Sequence, residues 1–192
     1  MPVERFAALS PRTKARITGF LYLLIFVFAP SDAQTANPTN LTITLACDIC
    51  VALLLFDLLR PVSRPLAAVA ALFRLIFVTG MAANALHFFG LLPLASVPRT
   101  TAAFNMGYGI SLVPFGVHCV LVGHLIFRSQ FLPKTVGVLM MLAGLAYLLF
   151  TWPALGQALF FPYIVIPAVL GEASLTLWLL IVGIKVQHTS IS

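Results

Sequence analysis

Residues Phe115–Gly137 read FGVHCVLVGHLIFRSQFLPKTVG. An apolar stretch with two histidines runs into a short turn carrying Arg128, Pro133 and Lys134. Apolar sequence then resumes at once. Such a run cannot be half-exposed to water, and it lacks the strict alternation of a membrane barrel strand. In hydrocarbon every backbone N–H and C=O needs a partner within its own segment, which predicts helices. Two spanning helices joined by a basic turn are therefore the unit from which the rest of the chain is read.

Composition extends that reading to all 192 residues. Hydrophobic residues make up 61% and charged residues only 8%, with mean hydropathy +1.07. Soluble domains carry about 25% charged residues, so the expected solvent is a lipid bilayer. The net charge of +6 forms no basic run beside stacking aromatics, and no nucleic-acid partner is expected.

The expected fold is all-α: one polytopic transmembrane bundle over residues 1–192. Its spans are expected at about 15–30, 41–59, 66–92, 104–127, 134–152 and 160–184. The first apolar run, Ile17–Ala29, is short, but Lys14 and Arg16 can snorkel toward headgroups. Its basic preface also resembles a signal peptide; with further apolar segments following, it reads as an uncleaved first helix. Pro30–Asn40 and Pro93–Ala103 read as loops, Pro61 and Pro65 break the chain after the second helix, and a charge-free loop is expected at Pro153–Gln157. The Asn40-Leu41-Thr42 triplet matches a glycosylation sequon only at the level of chance. With both termini placed in the cytoplasm, the inner segments hold Arg5, Arg12, Lys14, Arg16, Arg60, Arg64, Arg128, Lys134 and Lys185. The outer loops hold Arg99. That asymmetry follows the positive-inside rule, with Arg60, Arg64, Arg128 and Lys134 as its topology-determining residues. Insertion in the inner (plasma) membrane is expected.

Ionisable groups inside spans are costly and mark function or buried pairing. Asp48, Arg74, His118 and Glu172 fall in the central parts of four different helices. They form the candidate intramembrane polar site. Its two readings are an interior that binds a small solute or relays protons, and an ion pair of Arg74 with Glu172 or Asp48 that fixes packing. Asp57 and Arg60, three apart, read as an interfacial ion pair. His118 and His124 point about 120° apart around one helix and cannot share an ion. No HExxH, nucleophile elbow, Walker or dinucleotide motif occurs. Cys47, Cys50 and Cys119 read as small apolar residues within spans, and the CxxC of Cys47–Cys50 lacks a second pair. No catalytic residue, metal or cofactor is assigned. Gly109, Gly116 and Gly123 recur every seven residues and predict close approach of a neighbouring helix.

Taken together, ARITGFLYLL, LLRPVSRPLA with FRL after it, the block from Phe115 to Leu149 and GEASLTLWLLIVGIK resemble the bacterial membrane family called domain of unknown function 4386. The matching positions are Arg16, Gly19, Tyr22, Arg60, Pro61, Arg74, Gly116, His118, Gly123, Arg128, Ser129, Pro133, Gly137 and Glu172. The resemblance implies a multi-span bacterial inner-membrane protein and brings no activity with it. It also implies a longer region between the first two helices than this chain has at Pro30–Asn40. The leading functional expectation is a non-enzymatic small-solute carrier or sensor whose partners are the bilayer and a small-molecule ligand. The alternatives are a membrane-embedded metal-dependent enzyme using His118 and the acids, and a structural or partner-binding subunit.

Overall fold

A computed structural model describes residues 9–29, 37–92 and 96–184. Arg5, Lys185 and residues 30–36 and 93–95 of the expected loops lie outside them. The described residues hold seven α-helices and no strand. In chain order these are α1 (Pro11–Phe28), α2 (Pro38–Leu59), α3 (Arg64–Phe88), α4 (Thr101–Arg128), α5 (Lys134–Tyr147), α6 (Pro153–Ala158) and α7 (Val165–Ile181).

Local chemistry sets the helix starts. The side chains of Ser10, Asn37 and Thr100 each accept a bond from the backbone N–H three residues on, at 3.1, 2.8 and 3.2 Å. Pro11 and Pro38 follow two of these caps, where a missing N–H costs nothing. Asn40 of the sequon thus lies in the first turn of α2.

Five stretches are long and apolar enough to cross a membrane: α2, α3, α4, α5 with its 3-10 extension to Thr151, and Phe160–Ile181. Helix α1 falls short of that standard because Arg12, Lys14 and Arg16 occupy its first two turns. It packs as a sixth long helix all the same. Each long helix packs on its chain neighbours, α5 packs on α7, and α7 returns to α1, closing a ring of six.

Several boundaries differ from expectation: α2 and α4 begin at Pro38 and Thr101, three residues inside the expected loops, where the Asn37 and Thr100 caps start them. Helix α3 stops at Phe88 rather than Leu92, because the chain turns at Gly90 (φ 80°) and the Leu92 carbonyl folds back to His87 Nδ1 at 3.1 Å. Pro153–Gln157 lies in the short helix α6 rather than a loop. The last expected span is interrupted: Phe160–Ile164 is a π-type turn with Phe161 extended (φ −116°, ψ 131°), and regular helix begins at Val165. Cys47 and Cys119 are buried, whereas Cys50 faces outward.

Glycines let the ring close tightly. A Cβ on Gly116 would sit 2.8 Å from the Gly144 carbonyl, and one on Gly137 2.7 Å from the Gly123 carbonyl, so α4 and α5 meet backbone to backbone. Gly19 brings α1 against Thr176 and Leu180 of α7 in the same way.

One end of the ring gathers the bases. Lys14 of α1 meets Asp57 of α2 at 2.6 Å, Asp57 also holds Arg60 at 2.9 Å, and Arg12 reaches the Ile184 carbonyl at 3.4 Å. Arg12, Lys14, Arg16, Arg60, Arg64, Arg128 and Lys134 belong to this end. Arg99 is the base of the other end among the described residues.

Candidate functional site

Arg74 stands near the middle of α3 with no solvent exposure. A bare guanidinium there would be prohibitively costly, so its surroundings must answer both its charge and its N–H groups. They do. Nε and Nη2 donate to Asp48 Oδ1 of α2 at 2.9 and 2.5 Å, and Nη1 donates to Tyr22 Oη of α1 at 2.5 Å. Nη1 also lies 3.1 Å from His118 Nε2 of α4. The guanidinium carbon is 4.7 Å from the Tyr22 ring centre and 5.2 Å from that of Phe115, within cation–π range.

The same contacts define His118. Its Nδ1 is 2.8 Å from the Ala70 carbonyl. A carbonyl only accepts, so Nδ1 carries the proton and Nε2 is the bare nitrogen that accepts from Arg74. Both ring nitrogens are engaged. The ring also stacks on Phe115, with centres 5.6 Å apart. Among the described residues no group of three or more His, Cys, Asp or Glu side chains is placed to hold a metal. His118 therefore has no lone pair to offer the metal-dependent chemistry named as an alternative above.

Glu172 of α7 is not part of this cluster. Its Oε1 accepts from Tyr147 Oη of α5 at 2.6 Å. Among the described residues no cationic side chain lies within 4.0 Å of it. Of the four expected residues, the structure thus joins Asp48, Arg74 and His118 and sets Glu172 apart.

A cavity of about 270 Å³ connects the two acids. It is bounded by Ala29 at the end of α1 and Leu41 near the start of α2, and reaches inward to Asp48, Tyr147 and Glu172. Phe77, Tyr108 and Phe115 supply aromatic wall. Arg74 and His118 lie behind Asp48 and do not line it. Thr44 also lines the cavity, and its Oγ1 is buried without a hydrogen-bond partner among the described residues.

Tyr22, Thr44, Tyr108 and Tyr147 were not singled out as site residues from the sequence. A buried tyrosine hydroxyl needs a polar partner, so tyrosines midway along apolar spans were the available signal. Thr44 carried no such signal, because a helical threonine ordinarily bonds its own backbone.

The family model described as Domain of unknown function (DUF4386) matches residues 39–183. The match takes in α2 to α7 and leaves α1, with Arg16, Gly19 and Tyr22, outside it. A relative from Archaeoglobus fulgidus, described as an uncharacterized protein, is 28% identical over 141 residues, which is 73% of this chain and 80% of that one. No solved structure matches the chain significantly.

Proposed function

The chain belongs to the family described as Domain of unknown function (DUF4386), and on that footing we propose that it is a multi-pass inner-membrane protein that binds a small solute, as a carrier or sensor. Its basic end faces the cytoplasm, in keeping with the positive-inside rule. The observation that carries this reading is the cavity, whose lining runs from the end of α1 and the start of α2 to two buried carboxylates. Concave, mostly apolar pockets with a few convergent polar groups are the usual form of a small-molecule site. In this reading Asp48 and Glu172 face the solute, while Arg74 and His118 hold Asp48 in place from behind.

Labelling of single cysteines tests it. In a background with Cys47, Cys50 and Cys119 replaced by alanine, Leu45→Cys lines the cavity, and Leu53→Cys faces outward from α2. Ser63→Cys marks the basic turn. A membrane-impermeant thiol reagent added outside is expected to modify Leu45→Cys and to spare Leu53→Cys and Ser63→Cys. An inert Leu45→Cys in a folded protein would show a sealed interior and leave the polar groups as packing alone.

A further inference from the structure

Inside the ring, the two acids are not in the same electrical position. Asp48 has its charge answered by Arg74. Glu172 is 8% exposed, has the neutral hydroxyl of Tyr147 as its hydrogen-bond donor, and has no cation within 4.0 Å among the described residues. An uncompensated carboxylate in an apolar interior costs several kcal/mol. The cavity lies directly against it.

The other lining groups point the same way. Glu172 Oε2 and Asp48 Oδ2 accept no hydrogen bond from the described residues. These are two acceptor sites on residues that line one cavity, and an ammonium group has up to three N–H donors. Among the described residues the lining contains no Lys, Arg or His. An anionic guest would meet carboxylates and no positive charge among the described lining residues, since Arg74 lies behind Asp48 and does not line the cavity. The aromatic walls from Phe77, Phe115, Tyr108 and Tyr147 suit the substituents of an organic cation, and their faces attract the charge itself. A volume of about 270 Å³ is near the low end for small-molecule sites and suits a small guest.

We propose that the cavity takes a small organic cation, with its ammonium group on Glu172 and Asp48 and its apolar substituents against the aromatic walls. This rests on the solute-binding reading above and names the class of solute. The Leu45→Cys protein is the reporter. A cationic thiol reagent is expected to modify it about tenfold faster than an anionic reagent of the same size, through focusing of the local field. Butylammonium and tetramethylammonium are expected to slow the modification, and butanol and butyrate to leave it unchanged. Adding Glu172→Gln should abolish both the charge preference and the protection while labelling persists. Adding Tyr147→Phe, which keeps the carboxylate, should retain the preference, and this second variant guards against misfolding of the first. Equal rates for the two reagents, or protection by butanol as strong as by butylammonium, would overturn the cation assignment and leave a cavity for neutral solutes. Absence of labelling by either reagent would sink the cavity reading itself, and the cation with it.

Discussion

Two polar regions share the interior of one helical ring and differ in how completely they are satisfied. Around Arg74 a guanidinium, a carboxylate, a phenol and an imidazole from four helices answer one another, and among the described residues only Asp48 Oδ2 is left without a donor in that cluster. Around Glu172 a single phenol meets a carboxylate that lines a cavity. The lesson is that a charge inside a membrane protein does not by itself announce a site. A saturated cluster joins helices; an unsaturated one beside open space has capacity left for a guest.

The contrast can be broken most forcefully at Arg74. Arg74→Leu leaves Asp48 buried without its partner and should cost about 3–5 kcal/mol, read as a lower unfolding midpoint in detergent. Replacing both, Arg74→Leu with Asp48→Leu, should recover most of that loss. A double variant as unstable as the single one would mean that Tyr22 and His118, not Asp48, dominate the cluster.

The next effect concerns the frame that holds both regions. Gly116→Val forces a side chain against the Gly144 carbonyl and should cost about 1–3 kcal/mol by overpacking. An unchanged unfolding midpoint would show that α4 and α5 can separate without loss.

Glu172→Gln should leave stability equal or higher, because the amide oxygen still accepts from Tyr147 and the uncompensated charge is gone. If it destabilised as strongly as Arg74→Leu, the distinction between the two regions would fall. Smallest of all is the basic end. Asp57→Asn removes a partly exposed contact with Lys14 and Arg60, should cost under about 1 kcal/mol, and should matter less as salt is added. A loss that salt leaves unchanged would place this cluster with Arg74 instead.

The fold was largely legible along the chain, because helix in lipid is a local necessity. Pro61 and Pro65, the basic turn at Arg128–Lys134 and the glycines of α4 each act over a few residues. The boundaries that shifted, at Gly90 and Phe160–Ile164, depend on how a helix end folds back on its neighbours. The candidate site was legible only as a set of costly residues. Asp48, Arg74, His118 and Glu172 stand out because each is expensive at its depth. Which acid Arg74 meets is a matter of helix rotation and of who neighbours whom in the ring, and neither is written in spacing.

By itself, then, the sequence determined that the chain lives in a membrane, that it is helical, and that four ionisable groups lie deep within it. Hydropathy and backbone hydrogen bonding act locally, so those conclusions need no fold. Only the tertiary structure decided that Asp48 and His118 hold Arg74 while Glu172 stands with Tyr147 at a cavity. Satisfaction of a buried charge depends on atoms brought from other helices, and empty space exists only between them.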